Sequence, residues 1–288
     1  MNIAVFSDIH GRILLCFKLV ERYQRETGKY IDLILQCGDL GIFRETSELD
    51  KATKRYAQID STELGFQRLF AKPHKEAEEV LAKVGCPMIC VRGNHEDHTY
   101  LDQLELKTDE PLFSVDCYER IFLLKTGAPY GFRSGADQVD LLGIGRIGPP
   151  TGETEKSKDK YIQEYEKKRL EDIDTNLNVD ILLTHDSAKD FVIEGFGMKE
   201  IRTFLDKNKS VYHFFGHTGH PFQKRADSNG VTLSIKMSDF EWGDGSRGQS
   251  LKADCFGIVH WKSGTEHSFE PVKESWLKEY IPYSWEYL

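Results

Sequence analysis

The sequence predicts an α/β fold, and three observations carry that prediction. Short apolar runs rich in Val, Ile, Leu and Phe recur along the chain as buried strands do. Between several of them, apolar residues fall at helical spacing. Most informative, five of the runs end on an acid, amide or imidazole, four of them beside a glycine. An open α/β sheet builds a site at its strand ends in that way. Hydrophobic residues form 39% of the 288-residue chain and aromatics 11%, which supports a substantial core. A net charge of -9 removes any general attraction to nucleic acid or an anionic membrane, although a metal-lined cleft can still take a short single strand.

Residues 2–7 form the first strand and lead into Ser7-Asp8-Ile9-His10-Gly11-Arg12. Asp8 and His10 are two apart and leave one face of an extended chain, a half-site for a transition metal. A helix follows over 13–27, with Leu14, Phe17 and Val20 on one face, and stops before Gly28. The second strand, 31–35, closes on Cys37-Gly38-Asp39. Residues 40–85 read as an insertion of mixed helical character beside the cleft mouth, with Leu64, Phe66, Leu69 and Phe70 as its apolar positions. His74 starts a helix there.

The third strand, 88–91, runs into Arg92-Gly93-Asn94-His95-Glu96. Asn94 offers a neutral oxygen ligand, and His95 can give or take a proton near neutral pH. Glu96-Asp97-His98 reads as the first turn of a helix. Residues 112–115, 121–124 and 139–144 are expected as strands of a second sheet, followed by a turn through Gly145, Gly148, Pro149 and Pro150. The charged stretch 153–175, with Tyr161, Tyr165 and Leu170, reads as a solvent-exposed helix.

The strand at 179–183 ends in Thr184-His185-Asp186, and a helix over 198–207 precedes the strand at 211–215. That strand holds His213, assigned to core or sheet edge, and ends in Gly216-His217-Thr218-Gly219-His220. Residues 236–253 read as a mobile loop, and 256–261 with 266–271 as a closing hairpin flanked by structural His260 and His267. The aromatic segment 272–288 is suited to pack back on the body or to face a partner subunit; nothing in the sequence fixes the oligomeric state. No repeat divides the chain, so 1–288 reads as one domain. The six cysteines match neither a disulfide framework nor a zinc pattern and read as buried free thiols. With no apolar run near the roughly 20 residues a membrane span needs, and no basic leader, a cytoplasmic location is expected.

The strand ends together supply Asp8, His10, Asp39, Asn94, His95, His185, His217 and His220. An ion takes about four to six ligands, so this inventory suits two ions sharing one carboxylate. Asp-x-His, Gly-Asp, Gly-Asn-His-Glu, a lone His after a strand and a final histidine pair, in that order over residues 8 to 220, resemble the motifs of the calcineurin-like metallophosphoesterases. Val91 to Glu96 is also similar to the serine/threonine protein phosphatases, but Asp-Arg-Gly does not follow Gly38-Asp39. Residues 35–49, 93–104 and Thr184-His185-Asp186 resemble the RNA lariat debranching branch, which tends to carry Cys where Asp8 stands.

The resemblance implies a two-sheet β-sandwich flanked by helices. It also implies that Asp8, His10, Asp39 and His220 hold one divalent ion. Asp39, Asn94, His185 and His217 hold the other, with manganese expected and iron or zinc as alternatives. One departure stands out: two residues, not one, separate His217 from His220, and Gly219 would have to bend the chain to restore the aim of His220. The expected reaction is attack of a metal-activated water on phosphorus, with Asp39 bridging the ions and His95 as general acid. Arg12 and Arg92 are candidate substrate contacts, Arg92 alternatively bracing its loop. Phosphodiesters are favoured as substrates because the arginine pair of protein phosphatases is not evident. Protein or small-molecule phosphomonoesters, debranching-type RNA or DNA cleavage, and a non-catalytic metal-binding scaffold are the alternatives.

Overall fold

The first apolar run forms β1 (Asn2–Phe6), with Ile3 to Phe6 buried on both faces. A strand covered on both sides can be continuously apolar, and this one is. The computed structural model describes residues 1–150, 159–240, 251, 254–281 and 285–288. After β1 come α1 (Ile13–Thr27), capped by Gly28 in the left-handed region, and β2 (Leu33–Gln36). Then follow α2 (Lys51–Ala57), α3 (Lys75–Val84), β3 (Met88–Cys90) and α4 (His98–Glu105). Next are β4 (Leu112–Ser114), β5 (Ile121–Leu124), β6 (Tyr130–Ser134) and β7 (Asp137–Ile144). α5 (Glu164–Glu171), β8 (Ile181–Thr184), α6 (Lys199–Lys207) and β9 (Tyr212–Phe215) precede the closing strands. These are β10 (Gln223–Ala226), β11 (Leu233–Lys236), β12 (Phe256–Ser263) and β13 (Glu266–Pro271).

The strands make two sheets, ordered β13-β12-β1-β2-β3-β5-β4 and β10-β11-β9-β8-β7-β6. Parallel pairing joins β1, β2, β3 and β5 in one, and β7, β8, β9 and β11 in the other. Val5, Leu35 and Ile89 of the first sheet meet Leu141, Leu183 and Phe214 of the second in the central core. On the outer faces, Phe6 and Met88 pack beneath α1 and α3, and Leu142 and Leu182 beneath α6. The fold is thus a mixed α/β sandwich of two sheets flanked by helices, and the loops after β1, β2, β3, β8 and β9 meet at one rim.

Several sequence expectations are corrected. The strands near 112 and 121 join the edge of the first sheet, through Met88↔Ile121, and only the strand ending at Ile144 enters the second. Strand patterning shows that a strand forms but not which neighbour it takes. The sequence gives no sign of β10, whose Gln-Lys-Arg-Ala stretch pairs through backbone at an exposed edge. Among the described residues, the charged stretch contributes α5 alone and does not simply face solvent. Tyr161 and Glu166 are buried, and Glu166 pairs with the buried Arg146 at 3.1 Å; residues 153–158 lie outside the described residues.

Within the expected loop 236–253, Lys236 closes β11 and Phe240 is buried, while 241–250 and 252–253 lie outside the described residues. Trp276, Tyr280 and Trp285 pack into the core under α1, Tyr287 is exposed, and Tyr283 is outside the described residues. All six cysteines are free thiols, but Cys117 is exposed rather than buried. No helix among the described residues is long and apolar enough to cross a membrane.

His213 lies fully inside β9, its Nε2 2.9 Å from Thr184 Oγ1 and its Nδ1 3.1 Å from Ser234 Oγ. Burial pushes its pKa down to about 3. Unfolded, an imidazole titrates near 6.5, so the neutral ring contributes its full stability above that pH. The contribution is lost as pH falls from about 6.5 toward 3, because only the unfolded chain takes the proton. Urea unfolding from pH 7 to pH 4 should show His213→Leu with a shallower acid slope than wild type, by up to about 1.4 kcal/mol per pH unit. Identical slopes would mean that His213 accepts a proton in the folded chain.

Candidate metal centre

The rim loops are held in a conformation that few side chains adopt unaided. Asp8, His10, Asp39 and His217 have φ values of 49°, 44°, 55° and 63°. Left-handed backbone costs about 1–3 kcal/mol at a non-glycine residue and persists only where its surroundings enforce it. Here the loops are laced together: Asp8 N–H donates to Gly38 O at 3.2 Å, His10 N–H to Asp39 O at 2.9 Å and Gly11 N–H to Leu40 O at 2.8 Å. Asp39 Oδ1 accepts from the N–H groups of Asn94 (2.7 Å) and His95 (2.8 Å). Asp8 accepts from His217 N–H at 3.1 and 3.2 Å and from the Ser7 hydroxyl. Gly93 and Gly216 make this lacing sterically feasible. A Cβ on Gly93 would sit 2.1 Å from Asp39 Oδ1, and one on Gly216 2.0 Å from Asp8 Oδ2.

Two groups of donors result. Asp8, His10 and Asp39 bring ligand atoms within 4.8 Å of one another, and so do Asp39, His185 and His217. Asp39 belongs to both. Asn94 joins the second group, its Oδ1 3.0 Å from His185 Nε2. His185 Nδ1 lies 2.8 Å from Cys37 O, a group that can only accept, so Nδ1 carries the proton and Nε2 is the ligand atom. His220 is in neither group. Two residues separate it from His217, and Gly219 between them does take a positive φ of 64°, but the turn does not bring His220 into either group.

Electrostatics prepare the same atoms for a cation. Burial lowers His10 and His217 to a pKa of about 4, which keeps both rings in the neutral, ligating form. Burial raises Asp8 to about 6. Burial works against the ionised form of Asp39 too, yet the charge and hydrogen bond of His185, 3.3 Å away, hold it well below the ordinary carboxylate range. Asp39 in turn raises His185 to about 10, and a bound cation would displace the proton from its Nε2. Hard carboxylates and neutral imidazoles around one shared acid fit a pair of divalent cations.

His95 stands beside both groups without joining either. Its ring centroid is 5.5 Å from that of His10, and its Nδ1 is 2.8 Å from Asp50 Oδ2. Burial alone would lower its pKa, but the Asp50 hydrogen bond and the Asp39 charge together raise it. Sequence reasoning misses Asp50. An acid three residues before Thr53 signals the helix cap it forms, with Oδ1 accepting from Ala52 and Thr53 N–H, but nothing nearby reveals that Oδ2 faces His95. Glu96 is likewise not in a helical turn. It reaches back to accept from Leu40 N–H (2.8 Å) and Ile42 N–H (2.7 Å), while Asp97 caps α4. The guanidinium of Arg12 is held by Asp60 (2.8 Å) and Glu63 (3.1 Å), and that of Arg92 by Asp102 and Glu105.

Comparison with known proteins agrees with this geometry. The sequence profile of calcineurin-like phosphoesterases matches residues 1–221, and the chain belongs to that family. It is a metal-dependent phosphoester hydrolase. Among solved structures, it resembles protein TT1561 of Thermus thermophilus, with 16% identity over 94% of this chain and 99% of that one and a TM-score of 0.47. It also resembles a phosphatase of Mycoplasma pneumoniae, with 11% identity over 99% and 98% of the chains and a TM-score of 0.48. A third solved chain, 14% identical over 94% of this chain and 99% of its own, reaches 0.53. At 14% identity the likeness to this third chain is one of fold. No curated protein matches the sequence.

The close approach at Gly93 makes a direct prediction. Gly93→Ala should push the Asn94–His95 loop off Asp39 and weaken divalent-metal binding at least about 10-fold, the scale of lost support around a ligand. Calorimetric titration with Mn2+ measures this, with circular dichroism confirming the fold. Unchanged affinity would show that the Asp39 contacts do not position the site.

Proposed function

We propose that the enzyme hydrolyses phosphodiesters using two divalent cations, manganese foremost. In this reading Asp8, His10 and Asp39 hold one ion and Asp39, Asn94, His185 and His217 the other. The observation that carries it is the meeting of two donor groups on the single carboxylate of Asp39. Bound there, the cations would lower the pKa of water to a useful range and offset phosphoryl charge. The chain itself supplies the rest. Asp39 fixes the spacing of the two groups, and the Cys37 carbonyl keeps His185 in the ligating tautomer. With Nδ1 of His95 engaged by Asp50, Nε2 remains to hand a proton to the departing alkoxide. The raised pKa of His95 suits it to carry that proton near neutral pH.

A diester is favoured over a monoester on charge. A monoester arrives as a dianion and calls for free guanidinium groups, whereas Arg12 and Arg92 both spend theirs on carboxylates. His220 is left out of the ligand set, which gives the first ion fewer protein ligands than the second. Six free thiols fit a reducing compartment, and we assign the enzyme to the cytoplasm.

With Mn2+, turnover of bis-p-nitrophenyl phosphate should exceed that of p-nitrophenyl phosphate; the reverse order would contradict the diester assignment. Activity on neither ester with manganese, iron or zinc would favour a metal-binding scaffold. His95→Ala should lower kcat at least about 100-fold on the diester, and Asp50→Asn should lower it by a smaller factor. Wild-type kcat in His95→Ala would remove the general-acid role.

A further inference from the structure

Beside the second donor group the rim opens into a cleft of about 720 Å³ that reaches His217 and Thr218. Its walls are Ile147, Pro149, Pro150, Val192, Ile193 and Phe196. Ile193 and Phe196 remain 41% and 67% exposed, which is costly for large apolar side chains without a partner. They do not sit there through looseness. Their loop is closed by the backbone pair Ala188↔Met198, by Asp190 N–H on Phe196 O at 2.8 Å and by Gly195 N–H on Asp190 Oδ1 at 2.6 Å. Gly195 and Gly197, with φ of 83° and 90°, turn the chain on either side of Phe196 and hold its ring outward.

The side chains of the cleft narrow the occupant. Among the described residues that line it, the one lysine, Lys189, donates to Gly195 O, and the one acid, Asp186, accepts from Gly148 and Ser187 N–H. Most of the lining is therefore apolar, and the aromatic ring of Phe196 is its largest exposed surface. Thr218 Oγ1, next to His217, is buried and has no hydrogen-bond partner among the described residues. The exposed ring of Phe196 offers a face on which a planar group of the substrate can stack.

From these observations we infer that the cleft binds a planar aromatic group of the substrate, a nucleobase or an aryl ring, carried on the phosphoester next to the metal centre. The volume lies in the range of small-molecule sites. The inference rests on the phosphoesterase reading for the neighbouring chemistry, but its test does not.

Saturation-transfer NMR on the full chain, without metal, uses three probes lacking phosphate: adenosine, p-nitrophenol and methyl β-ribofuranoside. The ring protons of adenosine or p-nitrophenol should receive saturation and the riboside should not. The stronger of the two ring signals distinguishes nucleoside esters from aryl esters. Phe196→Ala should weaken ring binding by up to roughly tenfold, the scale of an aromatic stacking contact, whereas Tyr30→Ala, an exposed aromatic outside the cleft, should not. Equal signals from the riboside, or unchanged ring binding in Phe196→Ala, would overturn the inference. Ring binding with no Mn2+-dependent hydrolysis of bis-p-nitrophenyl phosphate would instead uphold the cleft and refute the reaction.

Discussion

The carboxylate of Asp39 is where the rim loops meet. Its oxygens face His10 and His185, two backbone N–H groups from the loop after β3 dock on Oδ1, and its own carbonyl holds His10 N–H. A buried carboxylate is tolerated only with partners of this kind. The left-handed backbone at Asp8, His10, Asp39 and His217 follows from the same demand: the chain must turn sharply to deliver donors from both sheets to one point. In the proposed reaction the demand is functional as well, because two cations held by one acid keep a fixed separation.

Beneath that point lies a layer of buried charge. Arg92 pairs with Glu105 at 2.6 Å, and Arg146 reaches Asp102 at 2.7 Å and Glu166 at 3.1 Å. This network ties α4, which follows the Asn94–His95 loop, to the loop after β7 and to α5. Buried ion pairs are weak sources of net stability because desolvation offsets their attraction. They do define geometry, since each guanidinium has few satisfactory positions. What the network gives up in stability it returns as a fixed platform under the donors, and Gly145, whose Cβ would lie 3.0 Å from Arg92 N, lets the platform close up.

Much of this was legible in the sequence because the signals are local. Strand followed by glycine and a polar side chain marks the rim, and the order of Asp8, His10, Asp39, Asn94, His185 and His217 survives in space as two groups sharing Asp39. What escaped is non-local. Asp50 reads as a helix cap and serves as one, and only the packing of the insertion brings its second oxygen to His95. The edge positions of β4 and β5 depend on pairing that patterning does not encode, and polar β10 forms on backbone hydrogen bonds alone. Arg12 reads as available to a phosphate, because nothing local announces that Asp60 and Glu63 of the insertion take its guanidinium.

Anomalous diffraction from crystals grown with Mn2+ tests the central claim most directly. Two peaks should appear about 3.5–4 Å apart, one against Asp8, His10 and Asp39 and the other against Asp39, Asn94, His185 and His217. A single peak, or peaks that leave Asp39 without a metal contact, would contradict the shared-carboxylate account.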